Sequence, residues 1–446
     1  MRATRYLIIG NGAAGATAAE TIRRHDPDGD ITILTAEPYP MYSRPGLAYV
    51  LINEIPAKQI FCRTLAWYDN LRLNLTLGKA TQLDVVNRLV WLEDGRSLPY
   101  DRLLIATGAR ATSPPYPGHD LQGVVYLDTY DGTNDLIERS KRARRAVVVG
   151  GGITALEMTE GLAHRGVETH YFLRRDRLWS QVFNDEEARL LEKIMRAHHV
   201  HIHYNTEVSE IIGDRRGRVR EVKLKDGSTF KCDLLGVAIG VKPLIDVVQN
   251  TPIQTDRAIL VNEYLESSVP GVYAAGDCAQ VYDRWTQQHM VDILWPSAVA
   301  EGAAAGLNMV GKRHAYVKGS PFNACLLFGL HITTMGQINP RRDDEEVEVV
   351  QHISRGSSEV WYTHPRTYRS AWAGDGENTI RLVINGDFLV GAIIIGEQRL
   401  ADPLRYLIEQ QVNIRHLRVD LEAGGETLKQ SLLRFWQQIE PVSAAG

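Results

Sequence analysis

Short runs of consecutive apolar residues alternate with helical patterns along the first two thirds of the chain. Residues 6–9 and 31–34 are four-residue apolar runs typical of strands buried in a parallel sheet, and residues 16–24 between them have a helical pattern. The same order returns with an apolar run at 146–149, a helical pattern after it and a predicted strand at 168–173. The pattern therefore predicts an α/β fold that contains two strand–helix–strand units.

A glycine-rich turn, GNGAAG, follows the first apolar run and opens the first predicted helix. Gly10 makes the tight turn, Gly12 lets the backbone approach a pyrophosphate, and Gly15 lets the helix pack closely on the strand. The helix N-terminus offers free N–H groups and the positive end of its dipole to the phosphates. Glu37 follows the next strand, where an acid accepts hydrogen bonds from a ribose. Together these features indicate a dinucleotide-binding, Rossmann-like domain.

A second glycine-rich turn, GGGITA, begins at Gly150 and follows the apolar run at 146–149. The acid position after the next strand holds Leu173, and Arg174 and Arg175 follow it. Loss of the carboxylate removes repulsion of a 2′-phosphate, and guanidinium groups supply bidentate partners for it. We therefore expect NADPH to be preferred. The alternative is that these arginines form a solvated face and that NADH is used as well.

Two dinucleotide folds in one chain imply two nucleotides, most simply a flavin and a nicotinamide. Three further segments, LLIATGA (103–109), VAIGVKP (237–243) and VYAAGDCA (272–279), complete a known pattern. With them the chain resembles the FAD-dependent pyridine nucleotide-disulfide oxidoreductase superfamily, that of glutathione reductase. EPYPMYSRPGL (37–47) and the segment 385–408 are similar to rubredoxin reductases and to the flavin domain of assimilatory nitrite reductase large subunits.

The resemblance implies a division into an FAD domain, an inserted NAD(P) domain and a small α+β domain at the C-terminus. In that division the FAD domain is discontinuous, comprising residues 1–111 and 243–318, the NAD(P) domain comprises residues 112–242, and the last domain comprises residues 319–446. The last domain is expected to rest on the flavin domain, and in related proteins it serves as a dimer interface or as a wall over the flavin. Its pattern predicts strands at 346–354, 379–384 and 388–395 and helices at 403–410 and 426–439.

The resemblance also assigns residues to the two cofactors. For FAD these are Gly10, Gly12, Ala14 and Gly15 at the pyrophosphate, Glu37 at the ribose, Ala80 at the adenine, Asp277 at the ribityl chain, and Thr107, Gly108 and Gly276 elsewhere along the cofactor. Beside the flavin ring are Arg44, Pro45 and Trp295, although Trp295 is equally well explained by ordinary packing. For the nicotinamide nucleotide they are Gly150, Gly152, Ile153, Thr154, Arg174, Arg175 and Gly240.

Glu157 matches a family glutamate that sits near the flavin and pairs with a lysine. The lysine is missing, because the chain reads Leu47-Ala48-Tyr49 where the family pattern has it. Three explanations keep Glu157 in a catalytic role: Tyr49 donates a hydrogen bond to it, it is partly protonated, or Lys58 reaches in. The fourth is that Glu157 is an ordinary helix residue.

The four cysteines are far apart and form neither CxxC nor CxxxxC. Disulfide reductases of this superfamily carry a CxxxxC soon after the first ribose acid, and related oxidases and peroxidases carry a single cysteine at about residues 43–45. Residues 38–55 contain no cysteine. Because a thiolate must attack a disulfide or a peroxide, disulfide reduction and thiol peroxidase chemistry are excluded. No zinc or Cys-ligated iron–sulfur site is expected, and no other metal site was identified.

Composition and charge indicate which kinds of binding partner the chain has. The chain is 44% apolar and 23% charged, and 50 basic against 54 acidic residues leave a net charge of −4, which does not favour nucleic-acid binding. No apolar run approaches the roughly 18 residues of a membrane span, and no secretory signal precedes the first strand, so a cytoplasmic protein is expected. The basic run RSKRARR (139–145) has two interpretations: it is a docking surface for an acidic carrier protein, or it is a solvated helix end. The last helix is expected to serve packing rather than membrane contact.

These observations predict an FAD-dependent NAD(P)H oxidoreductase that passes electrons to a small redox protein of the rubredoxin or ferredoxin type. The first alternative is an NAD(P)H:quinone or dioxygen reductase. The second is a flavoprotein subunit of a larger electron-transfer assembly, whose other redox centres belong to partner subunits. A homodimer is left open.

Overall fold

The computed structural model describes residues 2–284, 287–338, 368–374 and 378–443. Contacts divide the chain into two compact units. The first unit comprises Met1–Ser113, Tyr126–Glu138 and Gly240–Lys318, and the second comprises Pro114–Val125, Arg139–Ile239 and Gly319–Gly446.

The helices and strands are given in chain order. Residues 2–113 form β1 Arg5–Ile9, α1 Ala13–His25, β2 Asp30–Thr35, α2 Gly46–Leu51, a 3₁₀ helix Ala57–Ile60, α3 Leu65–Asn70, β3 Leu73–Leu77, β4 Ala80–Asp84, β5 Leu89–Leu92, β6 Ser97–Pro99, β7 Arg102–Ile105 and β8 Ala109–Ala111. Residues 114–239 form β9 Val124–Val125, α4 Tyr130–Ser140, β10 Arg145–Val149, α5 Ile153–His164, β11 Glu168–Phe172, α6 Asp185–Ala197, β12 Val200–His203, β13 Val208–Gly213, β14 Val219–Leu224, β15 Thr229–Lys231 and β16 Leu234–Val237. Residues 240–318 form β17 Val241–Pro243, a 3₁₀ helix Asp246–Val248, β18 Ile259–Leu260, β19 Val272–Ala274, β20 Ala279–Asp283, β21 Gln288–Val291 and α7 Trp295–Met309. The remainder forms β22 Phe322–Leu327, β23 Leu330–Gly336, β24 Tyr368–Gly374, β25 Thr379–Asn385, β26 Phe388–Ile395, α8 Ala401–Glu409, α9 Arg418–Ala423 and α10 Gly425–Ser443.

The first unit is built on a parallel five-stranded sheet in the order β19-β7-β1-β2-β3. Its central strand, β1, is almost wholly buried, which explains why its sequence is a continuous apolar run rather than an alternating one. α1 packs closely against α7, and both helices are rich in alanine and glycine on their buried faces. Because α1 follows β1 directly, the N-terminus of α1 lies at the carboxyl end of the sheet, where α/β folds bind ligands.

The second unit contains another parallel five-stranded sheet, in the order β12-β11-β10-β16-β9. α5 follows β10 directly, so the strand–glycine–helix arrangement of the first unit is repeated. A separate antiparallel meander is formed by β13, β14 and β15. The expected α/β class with two Rossmann-like sheets is confirmed.

The chain beyond residue 318 forms an antiparallel sheet in the order β22-β23-β26-β25-β24, with α8, α9 and α10 beside it. Strands β25 and β26 and helices α8 and α10 match the elements predicted for this region, whereas the predicted strand at 346–354 lies outside the described residues. On α10, Leu428, Leu432 and Phe435 are buried in the core that this sheet shares with its helices. The apolar face of the last helix is therefore used for packing.

A buried ion pair joins this sheet to α6 within the second unit. Arg381 on β25 donates from Nε to Oε1 of Glu187 at 2.8 Å and from Nη2 to Oε2 at 3.1 Å. The same guanidinium donates to the carbonyl oxygens of Val182 and Ile338. Glu187 also completes a capping box with Asn184 at the start of α6, so one carboxylate serves the helix cap and the ion pair.

Candidate functional site

The turn between β1 and α1 is shaped by close backbone approaches that only glycine allows. Gly10 has φ +121°, and a Cβ there would lie 2.0 Å from the carbonyl oxygen of Ala106. A Cβ on Gly15 would lie 2.0 Å from the carbonyl oxygen of Gly10. By contrast, a Cβ on Gly12, the N-cap of α1, would meet no protein atom within 4 Å. Backbone N–H groups at the start of α1 therefore border open space, which fits a pyrophosphate.

Glu37, the predicted ribose acid, already has two partners within the first unit. Its carboxylate accepts from the hydroxyl of Tyr42 at 2.6 Å and from Nη2 of Arg44 at 2.8 Å. Burial raises the pKa of Tyr42, which keeps its phenol protonated and donating. An ionised carboxylate has about four lone-pair sites, so Glu37 keeps the capacity to accept from a ribose as well.

Arg44 is held by a residue distant in sequence. Its Nη1 donates to the carbonyl oxygen of Asp128 at 2.6 Å and lies 3.7 Å from the Asp128 carboxylate, which is itself buried. The other carboxylate oxygen of Asp128 accepts from the backbone N–H of Ala111. Sequence reasoning missed Asp128, because nothing local to residue 128 shows that it will face residue 44.

The remaining residues assigned to FAD also lie in the first unit. Pro45 is exposed and precedes α2, Ala80 begins β4, and Trp295 begins α7, half buried against the core. Thr107 donates its hydroxyl to the carbonyl oxygen of Leu244, so it also joins two segments of the chain. Gly108, Gly276 and Asp277 follow the carboxyl ends of β7 and β19, as do Gly10 and Ala14 after β1.

A buried acid, Glu301, is hydrogen-bonded to the backbone of the Gly276 turn. Glu301, on α7, is 1% exposed and accepts from the backbone N–H of Gly276 at 2.7 Å. Burial, and then the charge of Asp292, raises the pKa of Glu301 well above its usual value, which favours the protonated acid. Lys318 lies 3.4 Å from Asp292 and 3.8 Å from Asp283, and all three are buried. In the sequence, this group is signalled by a single acid within the small-residue helix AVAEGAAAG (298–306), a signal not interpreted above.

The second glycine turn has the same construction in the second unit. Gly150 has φ +146°, and a Cβ there would lie 2.2 Å from the carbonyl oxygen of Ala238. Gly152 is the N-cap of α5, and Ile153 and Thr154 form its first turn. A Cβ on Gly151 would meet no protein atom within 4 Å. The residues again leave open space at a helix N-terminus, as a dinucleotide requires.

The basic residues after β11 differ in their surroundings. Arg174 and Arg175 are exposed directly after the strand, whereas Arg177 pairs with Asp185 at 2.7 Å.

Glu157 is half buried on α5. Gly240, assigned to the nicotinamide nucleotide, belongs to the first unit, at the point where the chain returns to it.

The four cysteines do not form a disulfide in the structure. Burial is the main cause that raises the pKa of each thiol: Cys62, Cys278 and Cys325 lie above the usual value, and Cys232 is raised to about 12. Cys278 donates its Sγ–H to the carbonyl oxygens of Ile105 and Ala275, as a small core residue does. Burial thus disfavours the reactive thiolate form, most strongly for the three buried cysteines, Cys232, Cys278 and Cys325.

The profile of the family described as pyridine nucleotide-disulphide oxidoreductase matches residues 4–302. The chain is 26% identical over 413 residues to "Nitrite reductase [NAD(P)H]" of Bacillus subtilis (strain 168), covering 92% of this chain and 48% of the relative. It is 28% identical over 346 residues to "NADH-rubredoxin oxidoreductase" of Clostridium acetobutylicum, covering 76% of this chain and 83% of the relative. The chain thus spans about half the length of the Bacillus protein.

Among solved structures, a ferredoxin reductase from Rhodopseudomonas palustris superposes with a TM-score of 0.81. The match covers 94% of this chain and 99% of that one at 21% identity, which shows the fold. Enzymes of the matched family use FAD and NAD(P)H, and the expectation of these two cofactors is confirmed.

Proposed function

Because the chain belongs to the pyridine nucleotide-disulphide oxidoreductase family, we propose that it passes electrons from NAD(P)H through FAD to a small redox protein, without a redox-active disulfide. The acceptor is of the rubredoxin or ferredoxin type. A relative that acts on rubredoxin supports this choice.

The observation that carries the proposal is the presence of two glycine turns that leave open space beside a helix N-terminus, in a chain without cysteine in residues 38–55. Family members that reduce disulfides need a thiolate, and here burial raises the pKa of every cysteine. Residues 38–55 also lack cysteine. Bound FAD would accept a hydride from NAD(P)H and release the electrons onward. With no thiol to receive them, those electrons go directly to an external acceptor.

The residues of the chain bind and orient the cofactors. In the proposal, backbone N–H groups after Gly10 and Gly150 hold the two pyrophosphates. Glu37 holds the adenosine ribose of FAD, and Arg44 orients the Glu37 carboxylate through a hydrogen bond of 2.8 Å. Asp277 takes the ribityl hydroxyls. The FAD domain comprises residues 1–111 and 243–318, and the NAD(P) domain is inserted between those segments.

We further propose that Arg174 and Arg175 favour NADPH. Both are exposed directly after β11, where a Rossmann domain places its 2′-substituent, and Leu173 replaces the acid that would repel a phosphate. A relative named for NADH makes the opposite preference the competing outcome. Replacing both arginines with alanine is expected to raise the KM for NADPH at least tenfold more than the KM for NADH. Equal changes would remove the argument for phosphate recognition, and Arg177→Ala, whose side chain pairs with Asp185, is the matched control.

The acceptor is tested by stopped-flow reduction of the FAD-loaded protein with NADPH or NADH without oxygen. The reduced protein is then mixed in separate runs with rubredoxin, a ferredoxin, menadione or dioxygen. The proposal expects fast reoxidation by a carrier protein and slow reoxidation by menadione and dioxygen. The reverse order would establish the alternative function, a quinone or dioxygen reductase. Contact of α10 with lipid would have favoured a quinone as acceptor, but the apolar face of α10 is buried.

The nitrite reductase relative favours a second candidate, a flavoprotein component of a larger electron-transfer assembly. The match covers 48% of that relative's length. In this candidate the other redox centres belong to partner subunits. Slow turnover with all four acceptors, restored by an iron–sulfur partner purified with the chain, would favour this candidate. Among the described residues, no helix is long and apolar enough to cross a membrane. A cytoplasmic location remains part of the proposal.

A further inference from the structure

Three histidines and a glutamate meet on one face of the parallel sheet in the second unit. Glu168 and His170 lie on β11, and His201 and His203 lie on the outer strand β12, with His170 directly paired to His201 in the parallel register. Alternate residues of a strand share a face, so both strands direct these side chains to the same side. The proposed electron-transfer function uses none of the four.

The spacing of the polar atoms is that of a metal-binding group. Ligand atoms of Glu168, His170 and His201 all lie within 4.8 Å of one another. Nε2 of His170 is 3.0 Å from Oε1 of Glu168. Bond lengths of about 2.0–2.1 Å in a tetrahedral zinc site place neighbouring ligand atoms about 3.3 Å apart. His201 is exposed and its ring stacks on that of His170 at 4.6 Å, so a side-chain rotation is enough to complete the set.

His203 is hydrogen-bonded to His170 on the side of the ring opposite to Glu168. Its Nε2 lies 2.9 Å from Nδ1 of His170, the nitrogen that faces away from Glu168. When Nε2 of His170 binds a metal, its ring proton is on Nδ1 and is donated to His203. Metal-binding histidines usually donate their second N–H in this way, which fixes the tautomer and the ring orientation.

The surroundings hold these side chains in place. Phe230 packs edge-on against His170 at 4.6 Å and also contacts His203. Arg145 donates to Oε2 of Glu168 at 3.0 Å, which leaves Oε1 for the metal. Glu168 and His201 are exposed, so an ion can enter from solvent and keep a water as its fourth ligand.

We propose that Glu168, His170 and His201 bind one divalent transition-metal ion, with His203 as the positioning residue behind His170. Imidazole and carboxylate together suit Zn²⁺, Ni²⁺, Co²⁺ and Cu²⁺ rather than Mg²⁺ or Ca²⁺. The site lies within one unit and is independent of the electron acceptor. In the sequence, HVHIH (199–203) alternates histidines at the spacing of a strand, but Glu168 and His170 lie about 30 residues earlier and have no local link to it.

The test is calorimetric titration of the FAD-loaded, chelator-treated protein with Zn²⁺. The wild type is expected to bind one equivalent per chain. His201→Ala and Glu168→Gln are expected to weaken binding at least tenfold, and His203→Ala about 10–100-fold. His198→Ala, a neighbouring exposed histidine outside the cluster, is the matched control and should bind as the wild type does. Because His201 and Glu168 are exposed, these variants should fold, which circular dichroism and FAD content check.

A second readout identifies the ligands. Co²⁺ bound by imidazole nitrogen in a four-coordinate site is expected to give visible bands at wavelengths beyond the flavin absorption, and His201→Ala should lose them. The proposal is overturned if the wild type and His201→Ala bind Zn²⁺ equally, or if His198→Ala weakens binding as much as His201→Ala. Binding of Mg²⁺ as tight as that of Zn²⁺ would also contradict it.

Discussion

Replacing Gly12 with alanine separates binding of FAD from folding of the first unit. A Cβ at this position would meet no protein atom within 4 Å, and the φ of −91° suits alanine. The expected cost to folding is therefore only about 1 kcal/mol, the preference for glycine over alanine at a helix N-cap. The open side of Gly12 is where we expect the pyrophosphate of FAD to approach the backbone, so a methyl group there should weaken FAD binding at least tenfold, about 1.4 kcal/mol.

Gly15→Ala is the informative contrast. Its Cβ would lie 2.0 Å from the carbonyl oxygen of Gly10, whereas Cβ contacts under 3.0 Å essentially never occur, so the helix and the strand must separate by about 1 Å. Overpacking of this kind costs about 1–3 kcal/mol. Gly15→Ala should therefore lose both stability and FAD, while Gly12→Ala loses mainly FAD.

The assay compares three variants by bound FAD after purification, by the FAD dissociation constant of the apoprotein, and by urea unfolding of the apoprotein. Gly151→Ala, in the second glycine turn directly before the N-cap Gly152, also adds a Cβ that meets no protein atom within 4 Å, and as the control it should keep wild-type FAD binding. A Gly12→Ala protein with unchanged FAD affinity would refute the assignment of this turn to the flavin nucleotide. Equal losses of FAD in Gly12→Ala and Gly151→Ala would show that the two glycine turns do not bind different nucleotides.

Three further predictions concern the thiols, the buried ion pair and the basic run. Alkylation with N-ethylmaleimide should leave ferricyanide reduction by NAD(P)H unchanged, because residues 38–55, where disulfide reductases of the family carry their redox cysteines, contain none. Cys62 is the exposed thiol, and a loss of activity that Cys62→Ala reproduces would reveal a thiol step. Arg381→Met should lower the free energy of unfolding in urea by about 3–5 kcal/mol because Glu187 stays buried without its partner, and adding Glu187→Gln should recover part of that loss. Additive losses in this double-mutant cycle would contradict the coupling. Arg142→Glu with Arg144→Glu should raise the KM for an acidic carrier several-fold at low salt and leave ferricyanide reduction unchanged; an unchanged KM would mean that the run is only a solvated turn.

The parts of the candidate site that the sequence predicts are local in the chain. Gly10, Gly12 and Gly150 could be placed because a buried strand, a tight turn and a helix occupy consecutive residues. Tyr42 lies only five residues from Glu37, so it was within the segment already singled out. Arg44 was assigned to the flavin, but its contact with Asp128 spans 84 residues and has no local signature.

The sequence by itself determined the two strand–glycine–helix units, the lack of cysteine in residues 38–55 and the expectation of two nucleotide cofactors, because periodicity and turn chemistry depend on neighbours along the chain. Only the tertiary structure decided which distant groups meet. The pairing of β11 with β12 brings His170 onto His201, and the packing of α6 on β25 brings Glu187 to Arg381 across 194 residues. Such contacts follow from strand register and burial of the whole core, which no short window of sequence contains.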